Sequence, residues 1–263
     1  MVRRVDAEQP PGTPQGGRRV DKRAMLQSVE RTFAVLDVIV HQPDPVSIAD
    51  LAIQLGVDRT IIHRILRTLQ AEEFVEIAPG GGYVIGPRAL VFGNAYRDRQ
   101  SLRSAALPYM ADFARSVGDR QLMVSVAVVV RDELILVDQV WNPGMSLDLV
   151  FGGGSRFPVD QTASGRALLA YMSPEQVIEV VGVDRARELE LHARAIRAAG
   201  GIEFHSRAGQ EGHNAIAAVI FPRNGRPRSA LLLSGIGLDG ELHPDSPTAH
   251  QVRRYADRIG EQL

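Results

Sequence analysis

The residues from Ile48 to Arg67 have the spacing of a helix-turn-helix, which constrains the fold more than any other feature of the sequence. Such a motif needs a small residue where its two helices touch, and Ala52 supplies it. It also needs a turn residue that tolerates positive φ, and Gly56 does so at no steric cost. Ile62 and Ile65, one turn apart, provide the branched side chains that anchor the second helix. The spacing therefore predicts two short helices joined by a tight turn.

The second of these helices has a polar face suited to DNA. When its apolar residues face the core, the outward side chains are those of Arg59, Thr60, His63, Arg64 and Arg67. A helix in the major groove uses arginine and similar donors to contact phosphates and the acceptor edge of guanine. We therefore predict that these residues read an operator. The alternative is an ordinary three-helix core with a solvated arginine face.

Elements on both sides complete a winged helix-turn-helix over residues 25–87. An amphipathic helix is predicted before the motif, because Val29, Phe33, Leu36 and Val40 recur at helical spacing. Two short apolar runs around the turn at residues 79–82 predict a β-hairpin, the wing. This hairpin lacks Lys and Arg, so we expect it to touch DNA through its backbone or through Tyr83.

Residues 1–24 form a basic segment rich in Pro and Gly, which predicts a flexible arm. Its cations include Arg18 and Arg19, and two interpretations stay open: an arm that seeks DNA phosphates, or a solubilising tail. The segment has no apolar core typical of a signal peptide, and no apolar run in the chain approaches a membrane span. With no cysteine and a net charge of −1, the composition favours a soluble, cytoplasmic protein without a membrane partner.

The rest of the chain predicts a linker helix over residues 88–104 and an α+β domain over residues 105–263. Gly86-Pro87 opens a helical stretch that reaches about Val117, with a kink or restart expected at Pro108. A capping box at Ser173–Gln176 begins a later helix. β-rich runs and helical segments alternate in this half. The predicted strands cover residues 122–130, 133–141, 146–151, 214–221 and 228–235, and the predicted helices include 163–172, 184–199 and the C-terminus.

Several blocks, in order, resemble the IclR family of regulators from Leu26 to Leu263. They are Ser28–Arg31, Arg59–Leu69, Pro158–Ala170, Gly212–Ala218 and Leu233–Gly235. The resemblance implies a GAF-like α/β effector-binding domain behind the winged helix-turn-helix, joined to it by the linker helix. It also implies a homodimer or a dimer of dimers (homotetramer) on palindromic double-stranded operator DNA, controlling a catabolic or stress operon.

Carried over by position, the resemblance implies an effector pocket. Its lining would be Leu149, Phe157, Ala163, Ser164, His205, Ala215, Leu232 and Ser234. Members that sense small carboxylates place polar or acidic side chains where this chain has Ala215 and Leu232. The cavity should therefore be larger and more apolar, and it should suit a small aromatic acid or amide, because a buried small anion would lack charge-assisted donors. His205 is equally compatible with a structural role.

We therefore expect a ligand-responsive repressor without cofactor or metal, and an activator of the same kind is the alternative. A hydrolase is a weaker alternative. It would draw on Asp160, Ser155, Ser164, His205 and His213, but the sequence has no Gly-x-Ser-x-Gly elbow and no metal-ligand pair at helical spacing. A protein-interaction module without DNA binding is disfavoured only by the arginines of the predicted recognition helix.

Overall fold

The computed structural model describes residues 25–99, 101–118, 120–141, 145, 156–206 and 214–263. The chain divides between Asn94 and Ala95 into two compact units. Arg18, Arg19 and the rest of the predicted arm lie outside the described residues, as do Leu149 and the predicted strand at 146–151. Within the described part of the chain, no helix has both the length and the apolarity needed to cross a bilayer.

The first unit is a small helical core with a two-stranded hairpin. Its elements are α1 (Gln27–His41), α2 (Ile48–Leu55), α3 (Arg59–Ala71), β1 (Val75–Ile77) and β2 (Tyr83–Ile85), and α4 (Arg88–Arg99) begins in it. Leu51, Ile62 and Leu66 are completely buried at its centre. The predicted helix-turn-helix is therefore confirmed, and α2 and α3 begin at the predicted residues.

Helix α1 buries little of the stripe that predicted it, and Leu36 is the member that packs against the core. Its buried residues are Val35, Val38 and Ile39, whereas Val29 and Phe33 are 45% and 59% exposed. The helix thus carries a second apolar face. Periodicity located the helix but did not show which of its sides packs into the core of the unit.

The wing is held to the rest of the first unit by its second strand. Strands β1 and β2 pair antiparallel, and Tyr83 exchanges two backbone hydrogen bonds with Val46, of 2.8 and 3.0 Å. The Tyr83 ring is partly buried and packs against the core cluster of this unit. That packing restricts the ring as a DNA contact.

The second unit is built around a six-stranded antiparallel sheet with the order β5-β4-β3-β8-β7-β6. Helices cover both faces, so the described part of this unit has three layers, in agreement with the α+β prediction. The strands are β3 (Leu122–Val130), β4 (Glu133–Trp141), β5 (Arg156–Pro158), β6 (Ile202–Ser206), β7 (Asn214–Ile220) and β8 (Ser229–Gly235). The helices are α5 (Ser101–Ser116), α6 (Ala163–Leu169), α7 (Pro174–Val181), α8 (Val183–Ala198) and α9 (Pro247–Gly260).

Each face of the sheet has its own core. On one face, α5 and α9 pack over residues such as Val124, Ile216 and Leu233, and Phe113 stacks on Tyr255 with ring centroids 4.5 Å apart. On the other face, Ala167 and Leu168 of α6 share a buried cluster with strand residues. We call the second face, which is covered by α6, the α6 face.

Two details of this unit differ from expectation, and a third agrees with it. Of the kink or restart expected at Pro108, the restart is absent, because helix α5 continues through this residue. Pro108 and Ser104 are both exposed, so the carbonyl freed by the missing N–H can be solvated, and the helix tolerates the proline. Strands β5 and β6 were not predicted. The predicted capping box at Ser173 is confirmed, with reciprocal side-chain to backbone bonds to Gln176.

Candidate DNA-reading helix and effector face

The five polar residues predicted to read DNA lie on one exposed face of α3. Arg59, Thr60, His63, Arg64 and Arg67 are all exposed, and Ile62, Ile65, Leu66 and Leu69 are buried on the opposite side. Within the described residues, none of the three arginines forms an ion pair. Their guanidinium groups are therefore free to take phosphate or base-edge acceptors.

Local contacts at both ends of the turn set the direction of α3. Gly56 adopts φ of +62° and its N–H caps α2 on Ala52 and Ile53 carbonyls, a conformation that glycine adopts without strain. Asp58 caps α3, accepting a 2.7 Å hydrogen bond from the backbone N–H of Thr60. This bond, with others from Thr60 and Ile61, holds the pKa of the Asp58 carboxyl below its ordinary value.

Four predicted effector residues come together in two neighbouring rows on the α6 face. Residues that oppose each other on paired strands project to the same face of a sheet. One row runs through His205, Ala215, Ser234, Met123 and Trp141. The next runs through Glu203, Ala217, Leu232, Ser125 and Gln139. His205, Ala215, Leu232 and Ser234 thus share a continuous surface, and Met145 packs with Met123 at its β3 side.

Phe157 belongs to the same face but not to the same place. It opposes Leu134, which in turn opposes Val129. That row lies three steps along the strands from Ser234, about 20 Å at two residues per step. The structure therefore separates Phe157 from the other predicted pocket residues on the sheet, and Leu149 lies outside the described residues.

Helix α6 begins with two predicted pocket residues, Ala163 and Ser164, both buried. Gly165 is the next residue of the helix. A side chain is excluded there, because a Cβ would lie 1.8 Å from the Val159 carbonyl oxygen. The hydroxyl oxygens of Ser164 and of Ser125 are both buried, and neither has a hydrogen-bond partner in the described part of the chain. Buried hydroxyls without partners are uncommon, and a bound molecule or a water is the kind of group that satisfies them.

Ser125 was missed from the sequence. It is the one polar residue in the run Leu122–Val130 and is completely buried between Leu232 and Gln139 in its row. A serine at a position that alternation places on a covered sheet face is the signal that would have found it.

Comparison with known proteins agrees with both halves of this arrangement. Residues 28–78 match the IclR helix-turn-helix domain, and residues 94–238 match the bacterial transcriptional regulator IclR C-terminal domain. The chain belongs to the IclR family. It is a DNA-binding transcriptional regulator, which excludes the hydrolase alternative.

Relatives of this IclR-family regulator cover most of its length. The glycerol operon regulatory protein of Streptomyces coelicolor is 31% identical over 90% of this chain and 96% of its own. The transcriptional repressor IclR of Escherichia coli is 26% identical over 80% of each chain. A crystal structure of an IclR homolog from Microbacterium hydrocarbonoxydans, complexed with 4-hydroxybenzoate, superposes with a TM-score of 0.65 at 22% identity, covering 90% of this chain and 99% of that one.

An ion-pair cluster borders the effector face of this IclR-family regulator, and it was also missed from the sequence. The Glu203 carboxylate, only 8% exposed, accepts hydrogen bonds of 2.8 Å from both Arg166 Nε and His192 Nε2. Arg166 also donates to the Phe204 carbonyl at 3.0 Å. Asp160 is engaged separately, by Arg185 at 2.7 Å. The two contacts of Glu203 fix β6, which carries His205, against α6 and α8.

Proposed function

We propose that this IclR-family regulator is a cytoplasmic repressor of a catabolic operon that responds to a small aromatic acid or amide. The observation that carries the proposal is the make-up of the two rows on the α6 face. Apolar and small residues, Leu232, Ala215 and Ala217, lie beside the hydroxyls of Ser125 and Ser234. A largely apolar surface with a few converging polar groups is typical of a small-molecule site.

The few charges and the apolar area of these rows favour an aromatic ligand over a small aliphatic acid. Among the ten row residues, His205 is the only one able to carry positive charge, and Glu203 is already bound to Arg166. Pyruvate or glyoxylate would bury a carboxylate with little apolar area to offset the cost, whereas an aromatic acid buries the same group together with a ring. An aromatic ring gains from apolar burial, and a phenol or amide can satisfy the hydroxyls of Ser125, Ser164 and Ser234. The Microbacterium homolog's complex with 4-hydroxybenzoate supports this ligand class.

We propose that the ring packs on Leu232 and Ala215, with its polar end near Ser234 and His205. This pose uses only residues of the two rows. Phe157 and Leu149, implied by the resemblance, are not needed for it. Phe157 lies in a distant row, so the pose leaves out one residue that the resemblance implies for the pocket lining.

Calorimetric titration tests the ligand class. We expect 4-hydroxybenzoate or its amide to bind the wild type and pyruvate to fail. Leu232→Asp should abolish binding, because an uncompensated carboxylate would stand in the apolar row. Leu232→Met keeps size and polarity, and it is the matched control that should retain binding. If pyruvate binds and every aromatic acid and amide fails, the assignment of Ala215 and Leu232 is wrong.

DNA binding is proposed to use the exposed face of α3 in a homodimer. The second apolar face of α1, with Leu26 70% and Phe33 59% exposed, and the exposed Leu90 and Val91 of α4 supply apolar surface in the same unit. Covering such surface with a second copy would pair two α3 helices, which requires half-sites about one helical turn apart and hence a palindrome. Sedimentation at micromolar concentration should show dimers or tetramers, and Phe33→Glu should shift them toward monomers.

Repression and activation are separated by transcription in vitro. A repressor lowers transcript from a template that carries its operator, and the aromatic ligand restores it. Because coupling between two binding sites is reciprocal, operator DNA and ligand should weaken each other's binding by the same factor. An increase of transcript on adding the regulator would identify the activator alternative, with the same ligand site.

The basic arm is proposed to add sequence-independent affinity for DNA. Each phosphate that it neutralises should steepen the log–log salt dependence of binding by about 0.9. Deletion of residues 1–23 should flatten that slope and leave the preference for operator over random DNA largely intact. An unchanged slope would leave Arg18 and Arg19 as part of a solubilising tail.

A further inference from the structure

A cavity of about 380 Å³ lies on the outer side of α6, between it and the α7–α8 hairpin. Its walls are mostly apolar. They include Leu169 of α6, Val177 and Ile178 of α7, and Ala186 and Ala193 of α8. None of these residues belongs to the two rows of the effector face. The cavity is therefore separate from the proposed effector site, and α6 lies between the two.

The cavity exists because α7 stands away from the domain core. This helix is amphipathic and well capped by Ser173, yet none of its residues is buried. Its apolar residues Val177 and Ile178 line the cavity instead, and Ile178 is 42% exposed. The helix has one apolar and one polar face, as a packed helix does, but its apolar face borders the cavity instead of a core. The volume lies within the range of about 300–1,000 Å³ found for small-molecule pockets.

Positive charge borders the cavity and is only partly neutralised. Arg197 donates to the Ala170 carbonyl oxygen at 2.6 Å, and no carboxylate pairs with it in the described part of the chain. Arg187 reaches Asp184 only at 4.0 Å, with both side chains largely exposed. The one acid in the lining, Glu190, is taken by Arg194 at 2.6 Å. The cavity thus has mostly apolar walls and cationic side chains at its edge.

We propose that this cavity is a second ligand site, for an amphipathic organic carboxylate of medium size. The apolar chain would lie against Leu169, Val177 and Ala186, and the carboxylate would pair with Arg197. The volume admits about a dozen non-hydrogen atoms, since one water takes about 30 Å³ of liquid volume. A straight-chain acid such as decanoate has this size and polarity.

The site has a direct structural link to the effector face. Arg166 lines the cavity and binds Glu203, which stands in the same row as Leu232. His192, also in the lining, binds the same carboxylate oxygen of Glu203. A ligand that moves Arg166 or His192 therefore acts on β6. This regulatory consequence rests on the proposed function of the effector face, whereas the binding itself does not.

Calorimetric titration of the full chain with decanoate, below its micelle concentration, tests the site. Butyrate has the charge without the apolar body, and 1-nonanol has the apolar body without the charge. We expect decanoate to bind at least ten-fold more tightly than either. Failure of decanoate to bind, or equal binding of butyrate, would overturn the proposal.

Variants locate the bound molecule. Ala186→Phe should fill the cavity and abolish decanoate binding, and Arg197→Gln should weaken it at least ten-fold, with Arg197→Lys restoring part of the loss. All three should bind 4-hydroxybenzoate as the wild type does, and their circular dichroism spectra should equal that of the wild type, which shows independently that they are folded. Leu232→Asp should have the opposite pattern. Decanoate binding that survives Ala186→Phe but is lost in Leu232→Asp would place the molecule on the effector face and refute the second site.

Sedimentation velocity separates a ligand site from an interface. If Ile178→Ser dissociates a wild-type oligomer, the apolar wall of the cavity is covered by a second copy, and the proposal is wrong. We expect the oligomeric state of Ile178→Ser to equal that of the wild type. Failure of 4-hydroxybenzoate to bind any of these proteins would contradict the proposed function and leave the decanoate result unaffected.

Discussion

Two groups of arginines, one in each unit of this regulator, have opposite surroundings. On α3, Arg59, Arg64 and Arg67 are exposed and form no ion pair within the described residues. In the second unit, Arg166 is bound to Glu203 and Arg103 to Asp138, at 2.8 and 2.6 Å. The guanidinium group is always charged, so its partner determines its role. The α3 arginines, left without carboxylates, are available to DNA, and the neutralised Arg166 and Arg103 hold strands and helices together.

The largest effect is expected where the pair is buried. Glu203→Ala should lower the free energy of unfolding by about 3–5 kcal/mol, because it leaves the Arg166 guanidinium, 15% exposed, without a counter-charge. Chemical denaturation measures the loss. Replacing both partners with apolar residues, Arg166→Met with Glu203→Leu, should recover most of it. A Glu203→Ala protein within 1 kcal/mol of the wild type would show that this pair does not hold β6.

The opposite pattern is expected on α3. Arg64→Ala and Arg67→Ala should each weaken operator binding by about 1–3 kcal/mol if they read bases, and they should change stability by no more than about 0.5 kcal/mol. Affinities for operator and random DNA are compared at one salt concentration. A residue that contacts only phosphate should lose both affinities equally. If both variants bind the operator as the wild type does, α3 is not the reading helix.

A smaller, pH-dependent effect is expected at the cap of α3. The pKa of Asp58 is lowered in the folded chain by hydrogen bonds from Thr60. Its stabilising contribution is therefore complete above the ordinary aspartate pKa of about 3.9 and is lost as the pH falls through the lower, folded value. Asp58→Ala should lower the Tm at neutral pH, and Asp58→Asn should keep the Tm close to that of the wild type. The difference in Tm between Asp58→Ala and the wild type should shrink in acid. A pH-independent difference would exclude the ionised cap as its cause.

The smallest effect is expected for an exposed pair on α8. Arg194 and Glu190 lie 2.6 Å apart and are 68% and 63% exposed. Such pairs contribute about 0.5 kcal/mol or less, because water screens them. Arg194→Ala should leave both stability and operator affinity nearly unchanged, so it is also the control for Arg64→Ala. A loss above 1 kcal/mol would show that exposure alone does not rank these arginines.

Features set by neighbouring residues were predictable from the sequence. The bounds of α2 and α3 follow from Ser47, Gly56 and Asp58, which cap or end helices through contacts with the next few residues. The capping box of α7 is equally local. The buried side of α1 was not predictable, because an apolar stripe looks the same whether it faces the unit's own core or another surface.

Features that depend on distant partners were missed. Strand β6 contains Glu203 and His205, two polar residues that suggest a loop until Arg166, 37 positions earlier, is seen to neutralise the carboxylate. Strand β5 has only three residues and ends in Pro158, which gives too short a pattern to detect. For the candidate site, the predicted set contained the residues that β-sheet register brings together. It lacked Ser125 and included Phe157, because register cannot be derived from spacing.

The contact between Gly165 and the Val159 carbonyl bears on how proteins of this kind diversify. Gly165 is confined by backbone, and Arg166 beside it is confined by Glu203, the row residue already held in an ion pair; neither contact involves Ala215 or Leu232. In a saturation mutagenesis experiment, these two positions should tolerate almost no replacement, whereas Ala215 and Leu232 should accept many that alter only what is sensed. Related regulators can thus change ligand preference while Gly165 and Arg166 stay the same. These two residues reflect how the domain is assembled and do not indicate the molecule to which it responds.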